Sequence, residues 1–177
     1  MQGIFNSSIK KIAGTMLLLT ILIQLSSCAK TDREKQLYQL IEQGVELAEG
    51  HNIRGLMELT QDSFTAGPGD RSKQEVRRIL FVAFKRFGEF NIHYPKPSIR
   101  VSPDENSAIV KMNFLMASKE SLFPELEQLY EDASAWIETV DKRADIYTLS
   151  IELEYESDSW LINKARITGF GRPHGRL

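Results

Sequence analysis

The feature that most restricts the fold of this chain is a strict alternation of side chains between residues 147 and 156. The large apolar side chains are Tyr147, Leu149, Ile151, Leu153 and Tyr155, and the residues between and after them are Thr148, Ser150, Glu152, Glu154 and Glu156. Successive side chains of a strand point to opposite faces. The pattern therefore predicts a long strand with one buried face and one solvated face, as in an antiparallel sheet that is covered on one side.

A second long strand and several short ones are predicted elsewhere. Apolar side chains recur at every second position after residue 107, in the series Ala108, Val110, Met112, Phe114 and Met116. FNIHY (90–94) and SIRV (98–101) are predicted as short strands around a proline-containing break, and WLINKARIT (160–168) follows the turn ESDS. Strands joined by hairpins predict one curved antiparallel sheet with helices on one side.

Two helices are predicted at the start of the domain. A capping box at Thr31 to Glu34 precedes a helix that ends at Gly50, with the apolar residues Leu37, Leu40, Ile41, Val45 and Ala48 at helical spacing. HNIRGLMELTQDSF (51–64) predicts a short second helix, in which Asp62 serves as a turn or cap residue. Its expected core residues are Ile53, Leu56, Met57 and Phe64. The segment TAGPGDR (65–71) is predicted as a loop.

A second capping box, from Ser72 to Glu75, begins a third helix. We expect one face of it to be apolar, with Val76, Ile79, Leu80, Ala83, Phe84 and Phe87. The basic residues of the helix fall elsewhere on its surface, at Lys73, Arg77, Arg78, Lys85 and Arg86. A solvated face is the simpler interpretation, and contact with anionic lipid headgroups or an acidic partner is the alternative.

Residues 119–143, between the two long strands, predict an amphipathic helix of about five turns. The apolar positions, spaced three or four residues apart, are Leu122, Leu126, Leu129, Ala133, Trp136 and Val140, and Pro124 fits the first turn. The stripe must be buried on something. It packs on the sheet or the first helices of its own domain, or it docks a partner or covers a pocket.

The N-terminal segment predicts an export signal and an attachment point. Lys10 and Lys11 precede the apolar run IAGTMLLLTILIQL (12–25), which is shorter than the roughly 20 residues of a membrane-spanning helix. The residues Leu25-Ser26-Ser27-Cys28 resemble the lipobox of bacterial lipoprotein precursors. This resemblance implies cleavage before Cys28, a diacylglycerol on its thiol, and a membrane anchor. An uncleaved helix with an incidental cysteine is the alternative.

Several further expectations follow from the lipobox. Residue 29 is Ala29 and not aspartate, so similarity to the sorting rule of two-membrane bacteria implies the outer membrane, facing the periplasm. We divide the chain into a signal peptide (1–27), a lipidated tether (28–31), one domain (32–170) and a C-terminal tail (171–177). With a single cysteine, no disulfide can form within the chain.

Composition excludes some classes of function. The chain has 22 basic and 24 acidic residues, and removal of the predicted signal would take away two lysines and no acid, so nucleic acid is not expected as a partner. The three histidines, His51, His93 and His174, are far apart in sequence and predict no metal site. No phosphate-binding loop or nucleophile motif is found, and no cofactor is expected.

The order of the predicted elements resembles the nuclear transport factor 2-like superfamily, which includes SnoaL-like and ketosteroid isomerase-like domains. Two helices ending in LTQDSF, a third helix and strands ending in ESDSWLINKARI carry this resemblance, over about residues 32–170. It implies an α+β fold in which a curved antiparallel sheet wraps around the N-terminal helices as a cone with a pocket at its wide end. The predicted helix 119–143 is an extra helix inserted between strands of this fold.

The resemblance does not carry a catalytic residue to this chain. The isomerase branch uses an acidic donor and a carboxylate base inside the cone. Their positions fall near Gln43 and Gly67, which cannot perform that chemistry, and the nearby Tyr38 and Asp62 would need a shift in alignment.

Two hypotheses of function remain. The first is a non-catalytic, tethered protein that binds a small apolar ligand, with a pocket lined by Phe64, Leu80, Phe84, Phe114 and Tyr147, or a partner protein, through Leu126, Leu129 and Trp136. The second is a SnoaL-like enzyme for a small hydrophobic molecule, with His93 or Glu152 as candidate titratable groups. A homodimer through the outer sheet face, where Ile146, Thr148 and Ser150 are expected, is also compatible with the sequence.

Overall fold

The computed structural model describes residues 32–121, 123–141 and 145–170. Its helices are α1 (32–49), α2 (Ile53–Glu58), α3 (Lys73–Phe87), α4 (Pro124–Gln128) and α5 (Ala133–Asp141). Its strands are β1 (Thr60–Gly67), β2 (Arg71–Ser72), β3 (Phe90–His93), β4 (Ser98–Val101), β5 (Ser107–Ser118), β6 (Ile146–Glu156) and β7 (Ser159–Phe170). The predicted signal peptide, Cys28 and the C-terminal tail lie outside the described residues. In the described ranges, no helix has both the length and the hydropathy to cross a membrane.

The seven strands form one sheet in the order β2-β1-β7-β6-β5-β3, and β4 also pairs with β5. β5 and β6 pair antiparallel along most of their length, with Val110 opposite Ile151, and β6 continues through a tight turn into β7. β1 joins the edge of β7 in parallel, and the other described pairs are antiparallel. The prediction of a curved antiparallel sheet is confirmed apart from the parallel β1–β7 pair, and α1, α2 and α3 cover one face of it, whereas α4 and α5 pack on Leu115 and Ile146.

The core lies where the apolar faces of β5 and β6 meet α1. Ala108, Val110, Ile151 and Leu153 are buried together with Leu37 of α1, as the alternation of each strand requires. Burial of each large apolar side chain in this way stabilises the folded state by roughly 1.5–3 kcal/mol. The end of α1 is also held to the sheet, because the carboxylate of Glu49 accepts a hydrogen bond from the backbone N–H of Ile92 (2.6 Å).

The second predicted helix is shorter than expected, and the prediction for its end is wrong. α2 stops at Glu58, and TQDSF belongs to β1. The edge of β7 pairs with Thr60 and again with Thr65 and Ala66, so the segment between them is part of a strand, and Thr60 and Phe64 turn inward. Asp62 therefore lies on a strand, where its exposed carboxylate is 3.5 Å from Lys73 Nζ, and it is not a turn residue.

α3 begins as predicted, but its apolar face is narrower. The hydroxyl of Ser72 accepts from the backbone N–H of Glu75 (3.4 Å), and the Glu75 carboxylate accepts from the backbone N–H of Ser72 (2.8 Å). Phe84 is buried, whereas Ile79 and Phe87 are 45% and 60% exposed, which contradicts the expectation for those two residues. α3 contacts α2, β1 and β2, and its side chains Val76, Leu80 and Phe84 face the interior.

The insertion between β5 and β6 forms two short helices instead of one helix over 119–143. The break falls at residues 129–132, where the carboxylate of Asp132 accepts from the backbone N–H of Ala135 (3.0 Å) at the start of α5. Leu126 and Trp136 are buried against Leu115 and Ile146, at the end of β5 and the start of β6.

This packing agrees with the first alternative for the apolar stripe, burial inside its own domain. Leu126 and Trp136 are 4% and 0% exposed, and Leu129 is half-buried, so in this conformation they stabilise the domain and are not available to dock a partner. Ile146 is 3% exposed beneath the insertion and does not lie on an outer dimer face, which corrects that expectation. Thr148 and Ser150 are half-buried, and the Thr148 hydroxyl donates to Asn113 (2.8 Å).

Candidate functional site: an apolar pocket under three helices

A pocket of about 270 Å³ lies between the concave face of the sheet and the helices α1, α2 and α3. The helical side is formed mainly by Leu40, Gly44, Val45, Met57, Leu80 and Phe84. The sheet side is formed mainly by Phe64, Val110, Met112, Phe114, Ile151 and Ile162. The alternation of the strands and the spacing of α1 bring these side chains together, since both patterns turn one apolar face to the same interior.

The wall contains one polar side chain, Thr60, and no titratable one, among the residues that the structure describes. The Thr60 hydroxyl donates to the carbonyl oxygen of Met57 (2.8 Å), so its donor is used inside the protein. Neither a general base nor an acidic donor therefore faces this space. An apolar ligand would leave no polar group of the wall unpaired.

Four of the five predicted ligand-binding residues line the pocket. Phe64, Leu80, Phe84 and Phe114 contribute to its wall. Tyr147 does not, and packs its ring beside that of Phe114 instead, with 5.5 Å between the ring centroids. The pocket lies nearer the middle of β6, at Leu149 and Ile151, than the sequence suggested.

Gly44 is a wall residue that the sequence analysis missed. A Cβ atom at this position would meet only Leu59 Cδ1, at 3.9 Å, which is ordinary van der Waals distance. The absent side chain therefore leaves room that a larger residue could fill. The sequence could have indicated this position, because Gly44 falls at helical spacing between apolar residues of the same face of α1, namely Leu40, Ile41, Val45 and Ala48.

The catalytic candidates lie outside this pocket. Glu152 is exposed on the other face of β6, opposite Lys164, and is not inside the cone. His93 is at the end of β3, where its ring meets Phe123 edge to face at 5.4 Å between centroids. Tyr38 and Asp62 are not among the residues of the wall.

His93 instead borders a second depression, between β3 and the insertion, with Tyr94, Tyr130, Leu126 and Trp136. Burial raises the pKa of Tyr94 to about 12, with a further contribution from Tyr130, whose own pKa is also raised, chiefly by burial. Both phenols are thus neutral at physiological pH and cannot act as bases. Within the described ranges, no group of three histidine, cysteine or carboxylate side chains could hold a metal ion.

Comparison with known proteins identifies the fold and nothing finer. No protein-family model matches the chain. No curated protein matches it either.

Solved structures do match over most of the chain. A nuclear transport factor 2-like protein of unknown function from Pseudomonas putida is 9% identical, with a TM-score of 0.60 and coverage of 83% of this chain and 93% of that one. A candidate scytalone dehydratase from Novosphingobium aromaticivorans is 11% identical, with a TM-score of 0.58 and coverage of 83% and 99%. A protein of unknown function with a cystatin-like fold from Nostoc punctiforme is 10% identical, with a TM-score of 0.58 and coverage of 80% and 92%. The domain therefore has the cone-shaped nuclear transport factor 2-like fold.

Proposed function

We propose that this protein is a lipid-anchored, non-catalytic protein that binds a small apolar molecule in the pocket under α1, α2 and α3. The observation that carries the proposal is the pocket wall, which is apolar except for the internally bonded Thr60. Such a wall gains free energy from apolar contact, at roughly 25 cal/mol per Å² of surface removed from water. It selects a ligand by size and shape, since it offers no polar group to orient one.

The volume limits the ligand. An engineered apolar cavity of about 150 Å³ in another protein binds benzene, and typical sites for drug-sized molecules begin near 300 Å³. At about 270 Å³, the pocket suits a molecule larger than one aromatic ring, such as a two-ring compound or a segment of an acyl chain. Met57, Met112 and Met116 in the wall can adapt to the shape of the ligand, because methionine side chains are unbranched and flexible.

The second part of the proposal is the anchor. Acylation of Cys28 with more than one chain would hold the protein stably at the outer membrane, facing the periplasm. The tether of residues 28–31 spans at most about 14 Å when extended, so the domain would stay beside the bilayer. An apolar pocket in that position would exchange ligand with the membrane more readily than with water.

An enzymatic role is the less supported alternative. One structural neighbour is named as a candidate dehydratase. Acid–base chemistry in a cone of this kind requires a carboxylate, histidine or comparable donor at the reacting atoms. No described residue of the wall provides one, so the pocket favours binding over catalysis.

The test begins with the full-length product purified from its own membranes. We expect its native mass spectrum to show an acyl modification on Cys28 and a retained small molecule. After extraction of that molecule, the protein should bind the neutral apolar dye N-phenyl-1-naphthylamine. Gly44→Leu, which places a side chain in the pocket, should weaken dye binding at least tenfold.

Ile109→Leu is the matched control, because Ile109 is 45% exposed on the opposite face of the sheet. It should bind the dye like the wild type. Equal dye binding by folded Gly44→Leu and the wild type would refute the pocket as the binding site, and an unmodified Cys28 would refute the anchor.

A further inference from the structure

One surface of α3 is apolar and unpartnered. Its apolar members are the neighbouring residues Phe81 and Val82, which are 62% and 63% exposed. We call these two residues, together with the basic residues within one helical turn of them, Arg78, Lys85 and Arg86, the outer face of α3. Large exposed apolar side chains in one cluster indicate a contact surface, whereas scattered single ones do not.

The same surface is strongly basic. α3 carries Lys73, Arg77, Arg78, Lys85 and Arg86 against one acidic residue, Glu75. Arg78 and Lys85 lie within one helical turn of Phe81 and Val82, so basic and apolar groups share the solvent side of the helix. In the described part of the chain, none of Arg78, Lys85 and Arg86 forms an ion pair.

We propose that the outer face of α3 docks on the anionic phospholipid surface of the membrane that holds the anchor. Aromatic and aliphatic side chains would enter the headgroup boundary, and the flanking arginines and lysines would meet lipid phosphates. The inference rests on the proposed anchor for its orientation. It goes beyond the proposed function by assigning a membrane-contact role to a named surface.

The position of α3 fits this orientation. At the start of α1, the guanidinium of Arg33 lies 3.2 Å from the ring centre of Tyr155 on β6. The next residue of β6 is Glu156, whose carboxylate accepts a hydrogen bond from the side-chain amide of Gln61 on β1 (2.8 Å). Lys73 is the first residue of α3, and its ammonium group donates to the backbone carbonyl oxygen of Thr60 on β1 (2.9 Å). α1 and α3 therefore begin at the same end of the sheet, which is the tethered end.

Charge makes a second copy of this chain a poorer occupant. A two-fold dimer places the same patch of both copies against each other. Through this face it would bring Arg78, Lys85 and Arg86 of one copy near the same residues of the other, and like charges would oppose association. An anionic bilayer is complementary to both the apolar and the basic residues.

Docking would also place the pocket at the membrane. Val76, Leu80 and Phe84 of the inner side of α3 line the pocket, while Phe81 and Val82 point outward from the same turns. A helix held in the headgroup region by its outer face would thus form the shared wall between the lipid and the bound ligand. The bilayer would be the source of the apolar ligand.

The test uses spin labels on the full acylated protein. Because Cys28 is the only cysteine and is blocked by lipid if the anchor is correct, Phe81→Cys supplies a unique thiol. The protein is reconstituted in vesicles of phosphatidylcholine with phosphatidylglycerol, and in vesicles of phosphatidylcholine alone. Ile109→Cys, on the opposite side of the molecule, is the control, and circular dichroism checks that both variants fold.

In the anionic vesicles, we expect the label at residue 81 to be accessible to oxygen and at least fivefold less accessible to a water-soluble nickel chelate than the label at 109. This difference should shrink at high salt and in the neutral vesicles, because charge contributes to the contact. Equal accessibility of the two labels to the nickel chelate would overturn the proposal. Dipolar broadening between labels at 81 would also overturn it, and would assign the face to a contact between copies.

The outcome is separable from that of the proposed function. If Cys28 proves unmodified, the anchor is refuted. The docking test is then repeated with Cys28→Ser as the background, and the labelled protein is added to preformed anionic vesicles. Protection at residue 81 would then still support the docking face, and its absence would refute it. Dye binding to the pocket is measured independently of both results.

Discussion

At the scale of single residues, Gly44 offers the sharpest test of the pocket. It lies inside α1, where glycine costs roughly 0.5–1 kcal/mol relative to alanine. The space beside it accommodates a Cβ atom. We expect Gly44→Ala to raise the free energy of unfolding by about 1 kcal/mol and to weaken binding of the apolar dye, as measured by urea denaturation and fluorescence titration.

Gln43→Ala is the control for this prediction. Gln43 is its exposed neighbour in α1, so the substitution should change both quantities little. A loss of stability in Gly44→Ala would show that the space beside Gly44 is already filled in solution.

At the residue level, a regular period gives the face on which a side chain lies. Leu80, Phe84 and Phe114 follow the period of their helix or strand and line the pocket, and Phe64 lines it from a strand where a helix was predicted. Tyr147 obeys the same alternation, but it lies too near the insertion to reach the pocket. Periodicity gives the face of an element on which a residue lies, and it does not give the depth along that face.

At the scale of elements, the capping box of α3 makes a pH-dependent prediction. Hydrogen bonds from the backbone and then the hydroxyl of Ser72 lower the pKa of the Glu75 carboxyl. A lowered pKa in the folded state stabilises the protein above the ordinary pKa, and this stabilisation is lost as the pH falls through the lowered value. We expect Ser72→Ala to destabilise the domain, with the typical cap cost of about 1 kcal/mol near neutral pH.

The difference in unfolding free energy between the wild type and Ser72→Ala should shrink in acid, below pH 4. Chemical denaturation at neutral and acidic pH measures it. Ser134→Ala, at an exposed position of α5, should show no such pH dependence. A constant difference across pH would mean that the hydroxyl of Ser72 does not donate to the carboxylate of Glu75 in solution.

The insertion makes a second prediction at this scale. Trp136 is fully buried between α5 and the ends of β5 and β6. Truncation of a buried tryptophan to alanine costs roughly 3–5 kcal/mol, because apolar contacts are lost and a cavity is left. We expect Trp136→Ala to lower the free energy of unfolding by that amount, as measured by urea denaturation. At urea concentrations where the variant is still folded, it should bind the dye like the wild type, since Trp136 does not line the ligand pocket.

Ser134→Ala is again the control, and it should change the free energy of unfolding by no more than about 0.5 kcal/mol. If folded Trp136→Ala loses dye binding, the insertion controls the pocket, contrary to the separation of the two apolar clusters.

Element-level errors arose where tertiary contacts outweighed local pattern. The segment TQDSF was predicted as the end of a helix, but the edge of β7 pairs with Thr60 and with residues 65–67, and the segment is part of a strand. The insertion has a nearly continuous apolar stripe, but Asp132 caps a new helix inside it. Asp132 was the overlooked signal, since aspartate is common at the start of a helix.

At the scale of the whole molecule, the fold was predictable from the sequence. The long alternating strands and the order of the elements were enough to predict the curved sheet on helices, because one-sided burial leaves few other arrangements. A pocket depends on how closely helices approach the sheet, which periodicity does not determine. The absence of a titratable group from the described wall became visible only when the elements were brought together.

The anchor is the remaining prediction for the molecule as a whole. We expect the wild-type protein to incorporate labelled palmitate and to stay with the membrane fraction in high salt, because two or more acyl chains are not displaced by screening of charge. Cys28→Ser should incorporate no label and should retain residues 1–27, since cleavage follows modification of this residue in proteins with the lipobox. Ala29→Asp is the matched control: in a two-membrane bacterium it should keep the label and move the protein from the outer to the inner membrane fraction. Label in Cys28→Ser, or release of the wild type by salt alone, would contradict the anchor and leave the outer face of α3 as the remaining route to the membrane.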